Sequence, residues 1–252
     1  MRVISGKAKG ISLMTPKGDL TRPTADRVKE ALFSILHFDL PGARVLDLFG
    51  GTGQLGIEAL SRGAASAVFV DTREESCRLI RENPKVKAIG EIGLDYHYED
   101  IPRDVQQAAF RAQMALAAEL NLPVIVHERD AHEDGLAIVK AFPEVKGVFH
   151  CFSGSAELAR QLTDLGWYIG FTGVLTFKNA RRAIEAAQAI PLERIVIETD
   201  CPYMSPEPFR GKRNDPGRLY RMAERLAEIR GVSVEEIHRI TVENGKRLYR
   251  IE

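Results

Sequence analysis

Cysteine is scarce in this chain: three of 252 residues, Cys77, Cys151 and Cys201, odd in number and forming no CxxC pair. That excludes a disulfide framework and a cysteine-built zinc site, and it points to a reduced, cytoplasmic protein. There is one tryptophan. No apolar run approaches the roughly 18 residues that a membrane span needs. The opening MRVISGKAKG lacks the apolar core of a secretion signal. Net charge is missing too, since 35 basic residues balance 35 acidic ones. That excludes nucleic-acid binding through a bulk basic field, but not through a local phosphate cleft. What is present is an apolar fraction of 44%, enough for one large α/β domain or two small ones.

The first sixteen residues read as two short strand-like pieces, RVIS and ISLM, around a turn with glycine and lysine. TRPTADRVKEALFSIL reads as a helix, with Thr24 as N-cap and an apolar stripe of Val28, Ala31, Leu32, Ile35 and Leu36. Apolar runs then alternate with longer amphipathic segments: RVLDLF, SAVFVD, KAIGEIG, PVIVHE, KGVFHC, WYIGFTG and RIVIETD. Such alternation predicts parallel strands covered by helices. These seven strands, with a piece of the N-terminus as candidate eighth, predict a TIM-like (βα)8 barrel, whose usual length is about 250 residues. Trp167, Tyr168 and Phe171 read as core residues of their strand.

VLDLFGGTGQLG places Gly51, Gly53 and Gly56 between a strand and a helix, in a GxGxxG spacing. Glycines there let the backbone approach a ligand at the helix N-terminus. Asp47 in the strand and Asp71 at the end of the next strand would be the polar contacts of a cofactor. The alternative is a tight βα turn, with Asp71 as a helix cap.

Four acceptor residues stand near the ends of later strands: Glu91, His127, His150 and Asp200. Barrel strands aim their C-terminal ends at one mouth, so two imidazoles and two carboxylates would converge on a divalent cation, Zn²⁺, Mn²⁺ or Mg²⁺. A cation so held acidifies bound water, and Asp200 could take its proton. Arg129, Arg210, Lys212 and Arg213 are candidate phosphate holders, although FRGKRND also reads as a solvated loop. His37, His97, His132 and His238 read as ordinary polar histidines.

Two resemblances divide the chain. MRVISGKAKG, TRPTADRVKEALFSIL and ARVLDLFGGTGQLGIEALSRGAASAVFVD, within residues 1–82, resemble RsmD-type ribosomal RNA guanine methyltransferases. The resemblance implies that the glycine loop and Asp71 face S-adenosylmethionine. The family's [N/D]PP[Y/F] motif is absent; S-adenosylmethionine is therefore not the expected cofactor, and a remnant that bound it would not transfer methyl. Ile11 and Met14 replace basic residues of that family, which predicts a buried strand. GEIGLDYHYED, LPVIVHERDAHED, GVFHCFSGS, GWYIGFTG and IETDCPYMSPEPFRGKRNDP, within residues 83–252, resemble TatD-family metal-dependent deoxyribonucleases. That resemblance implies a two-metal centre, with Glu91 bridging, His127 and His150 on one ion, and Asp200 serving the other ion and the water. It also implies an HxH pair on the first strand, and this sequence has no HxH. One ion is therefore expected.

Joined near Asn83 and Pro84, the two parts read as a chimera, an engineered one, forming a single hybrid domain over 1–252. βαβ units of open sheets and of barrels share one handedness, so either can replace the other. Three functions follow: a residual metal-dependent hydrolase acting on DNA or a small phosphodiester, a scaffold without turnover, or an S-adenosylmethionine-binding remnant. No membrane partner is expected. The chain is expected to be a monomer or, if an edge strand stays exposed, a strand-exchanged homodimer.

Overall fold

The computed structural model describes residues 2–14, 24–36, 38–48, 52–70, 87–98 and 101–251. The chain divides into two compact units, Met1–Val86 and Lys87–Glu252. The division falls beside the seam expected at Asn83 and Pro84, which themselves lie outside the described residues. All seven apolar runs are strands, and among the described residues they form two parallel sheets, one of two strands and one of five.

In the first unit, β1 (Arg44–Leu48) pairs in parallel with β2 (Ser66–Val70). Helix α1 spans Asp26–Ile35 and α2 spans Gln54–Ser61. Thr24 does not cap α1; Ala25 holds that place, without a side-chain bond. The expected apolar stripe is also corrected. Val28 and Leu32 are 56% and 37% exposed, while Lys29 and Phe33 are buried. Lys29 can face inward because its ammonium donates to the Arg2 carbonyl at 2.6 Å and lies 3.5 Å from Asp26. Ile11 and Met14 are 47% and 54% exposed, which overturns the expected buried strand.

The N-terminal piece makes one antiparallel bridge with itself, Arg2 to Ser12. Its Ile4 and Ser5 amides donate to the buried Glu58 carboxylate of α2, at 2.8 and 3.0 Å. Among the described residues it adds no strand to either sheet. A carboxylate that satisfies its amides spares it from needing a ladder.

In the second unit the sheet runs β3 (Ile89–Asp95), β4 (Val124–Arg129), β5 (Gly147–Phe149), β6 (Tyr168–Phe171) and β7 (Ile195–Ile197), in chain order and all parallel. Between them run α3 (Arg103–Leu120), α4 (His132–Lys140), α5 (Ala156–Asp164) and α6 (Arg181–Ala189); α7 (Leu219–Arg230) and α8 (Val234–Tyr249) follow. Strand alternation sorts the side chains into two faces. Ile92, Leu94, Val124, Val126, Phe149, Ile169, Phe171 and Ile195 join one buried core with residues of the helices, including Phe110, Met114 and Leu226. Trp167 meets Phe149 edge-on, with ring centres 5.2 Å apart, so the expectation of a core tryptophan holds.

The other face is layered along the strands. Toward the strand starts it is apolar: Val148, Tyr168, Ile125 and Val196 pack against Leu248 and Tyr249 from the end of α8. Toward the strand ends it carries Glu91, His127, His150 and Glu198.

Candidate metal centre

Glu91 sits where the β3–β4 register shifts, between Gly90 and Ile92. A bulge of this kind re-aims a side chain, and it turns the carboxylate toward the neighbouring strands. His127 lies on β4, opposite Gly93. His150 follows β5 directly, and its amide continues the ladder by donating to the Val126 carbonyl at 3.0 Å. One ligand atom of each of the three residues lies within 4.8 Å of the others. Glu91 Oε1 is 3.2 Å from His127 Nδ1 and also contacts His150 Nε2. The two imidazoles approach at 3.3 Å.

The electrostatics follow from this crowding. Hydrogen bonds from His127 and then His150 hold the Glu91 carboxyl well below the usual carboxylate range. The bond to Glu91 raises His127 against its partial burial. Burial acts to lower His150, but its bond to Glu91 and the charges of Glu198, Glu91 and Asp200 prevail and raise it. Two imidazole nitrogens and a carboxylate oxygen this close together are a donor set that suits a divalent cation, which would replace the protons they share.

Two residues that the sequence reading did not single out complete the surroundings. Asp95 Oδ2 lies 3.0 Å from His127 Nε2, the ring nitrogen turned away from Glu91. Glu198 Oε1 accepts from the Cys151 amide at 2.6 Å and lies 3.9 Å from His150 Nδ1. The Asp95 carboxylate on the far nitrogen of His127 fixes that ring's orientation and tautomer, while Glu198 acts on His150 through its charge. The signal for both was strand alternation. Asp95 shares a face of β3 with Glu91, and Glu198 directly follows β7 in step with Val196. Gly170 is part of the same construction, because a Cβ there would stand 2.6 Å from Glu198 Oε1. The Cys151 thiol, pushed up to about 12 by burial, is no ligand-ready thiolate.

Asp200 lies just past β7, at φ +50°, outside the group of three, and its charge reaches His150. The loop after it is held by buried Asn214, whose amide donates to the Thr199 and Tyr203 carbonyls at 2.8 and 2.7 Å. Arg129, two residues beyond His127 on the same face of β4, lies over the Tyr98 ring at 5.4 Å; Asp95 is lowered against its burial chiefly by the bond from His127, with the Arg129 charge a minor contributor. Arg210, Lys212 and Arg213 are exposed on the loop, with Arg210 stacked on Phe177 at 3.7 Å. His97 and His132 are engaged elsewhere, with Asp130 and Glu128.

In the first unit, Gly53 adopts φ +73° at the start of α2, and buried Asp47 accepts from the Gly56 amide at 3.0 Å. The glycine loop is thus tied into its own βα turn at this point. Gly51 and Asp71 lie outside the described residues.

A parallel sheet that gathers a Glu/His/His cluster defines an α/β protein with a group able to hold a divalent cation. The comparisons agree. The family described as TatD related DNase matches residues 64–250, and the chain belongs to that family. It is 49% identical to "Uncharacterized metal-dependent hydrolase YabD" of Bacillus subtilis (strain 168), over 72% of this chain and 73% of that protein. It is 38% identical to "3'-5' ssDNA/RNA exonuclease TatD" of Klebsiella pneumoniae (strain 342), over 76% of this chain and 72% of that protein. The structure of the TatD homologue YJJV from Escherichia coli k12 superposes with a TM-score of 0.67 at 23% identity, over 84% of this chain and 100% of that one, which bears out the TIM-like barrel fold.

A second family, Conserved hypothetical protein 95, matches residues 1–114. Both halves of the expected likeness are therefore seen, and the two matches overlap across β2 and β3. Among the described residues, no helix is long and apolar enough to cross a membrane.

Proposed function

We propose that the chain is a chimeric α/β barrel that binds one divalent cation through Glu91, His127 and His150, and that hydrolyses phosphodiesters weakly. The observation that carries this reading is the convergence of three donor side chains, from three strands, within 4.8 Å. The substrate class follows from the family and from the Klebsiella relative's named activity on single-stranded DNA and RNA. A bound divalent cation would supply Lewis acidity, polarising a phosphoryl oxygen and acidifying water.

The chain's own groups would do the rest. Asp95 holds the His127 imidazole in place, and Glu198 adds negative charge beside His150. Asp200 accepts the proton of the water that adds to phosphorus as the phosphorus–oxygen ester bond breaks. Arg129 offsets charge on the non-bridging oxygens, with Arg210, Lys212 and Arg213 steering the anionic strand toward the mouth. The reaction is proposed to be slow because in-line phosphoryl transfer at paired metals uses both ions. The HxH pair implied by the resemblance is missing.

The test is calorimetric titration of metal-stripped protein with Zn²⁺ and Mn²⁺, beside Glu91→Ala and His127→Ala. Binding of one ion per chain, lost in both variants, is expected, together with cleavage of a labelled single-stranded oligonucleotide far slower than by an intact TatD relative. Absence of binding would remove the metal centre from the proposal. A rate equal to the relative's would remove the claim of weak turnover.

A further inference from the structure

The opposite end of the second unit's sheet carries a second concentration of charge. A cavity of about 320 Å³ opens where β4 to β7 begin, walled on one side by the end of α8. Lys146 precedes β5, Arg194 precedes β7, and Arg247 and Arg250 close α8; one carboxylate, Glu144, also lines it. Four cations around one carboxylate repel each other, and that arrangement requires compensation.

Among the described residues the protein does not supply it. Each cation is anchored on neutral acceptors. Lys146 donates to the Pro143 carbonyl at 2.6 Å, and Arg194 to the Gly166 carbonyl at 3.0 Å. Arg250 donates to the carbonyl and side-chain oxygen of Asn121, at 2.8 and 3.1 Å. Arg247 donates to the Glu243 carbonyl and the Asn244 side chain, at 3.2 and 3.0 Å. Among the described residues none of the four is ion-paired. The anchors leave further guanidinium N–H donors on each arginine, because each has five. The charges are thus held in position without being neutralised, which is the preorganisation an anion site needs. A volume near the lower end of the ligand-pocket range, with Leu122 and Leu248 in the lining, suits an organic anion better than a bare inorganic one.

We infer that this cavity binds a small organic phosphate, with Lys146, Arg194, Arg247 and Arg250 receiving the phosphate oxygens. The site is independent of the metal centre. It lies at the strand starts, and the apolar layer of Ile125, Val148, Tyr168 and Val196 stands between it and the strand ends.

The probe is adenosine 5′-monophosphate, titrated by calorimetry into full-length, metal-stripped protein. Saturable binding is expected, weakened at least about tenfold in Lys146→Ala/Arg247→Ala, two exposed positions, and unchanged in Arg129→Ala. A second measurement needs no variant. Phenylglyoxal modification of the wild-type chain, read by mass spectrometry, is expected to slow at Arg194, Arg247 and Arg250 when the nucleotide is present, and to be unaltered at Arg129 and Arg210. No saturable binding, binding indifferent to the double substitution, or protection confined to Arg129 and Arg210 would each overturn the inference.

Discussion

The two units handle a strand carboxylate in opposite ways. In the first, Asp47 accepts from the Gly56 amide, nine residues further along the same βα segment. In the second, Glu91 meets His127 and His150, which arrive on two other strands. A carboxylate matched by its own turn stiffens that turn and has little left to offer a ligand. A carboxylate matched by side chains from separate strands is held by a partnership that a cation can dissolve and replace. Both segments place an acid on a strand, so fold alone does not make a site; the origin of the partner does.

The comparison can be broken most directly with metal. An ion at about a hundredfold above its dissociation constant should add about 2.7 kcal/mol to the unfolding free energy in urea. His150→Ala should abolish that gain, and retention of the gain would place the ion elsewhere. The converse substitution, Asp47→Ala, strands the Gly56 amide and should lower stability by about 1–3 kcal/mol while leaving metal affinity unchanged. A loss of metal affinity there would erase the distinction between the units.

The smallest effect is in pH. Without metal, the depressed Glu91 contributes stability above its ordinary value of 4.5 and loses it as the pH falls. The raised His127 and His150 contribute fully below their ordinary 6.5 and lose it as the pH rises through their folded values. Metal-free protein should therefore gain most from this cluster between those two values, and less above them, in urea midpoints. Metal affinity should run the other way, because the histidines must shed protons to bind.

Much of this was legible beforehand, for physical reasons. Continuous apolar runs have few ways to be buried, and each became a strand. His127 and His150 were readable because an imidazole at the end of such a run faces the mouth by strand polarity. Asp95 and Glu198 were passed over because their value depends on which strand lies next to them, a property of register. The bulge that aims Glu91 is likewise made in pairing and has no local signature. The α1 stripe was misread because a lysine was assumed to face water. The Arg2 carbonyl and Asp26, distant or inconspicuous in the sequence, made its burial tolerable. The candidate eighth strand failed for a similar reason: Glu58, far along the chain, satisfies the amides that would otherwise seek a sheet.

One buried side chain ties the end of the second unit back to its last strand. Asn244, on α8, donates its amide to the Leu192 and Ile195 carbonyls at 2.8 and 2.7 Å, where β7 begins. A ribosome delivers β7 well before it delivers α8. Until α8 is made, the Leu192 and Ile195 carbonyls lack this donor. A chain ended before Asn244 would carry Glu91, His127 and His150 but lack the tie that anchors the start of β7.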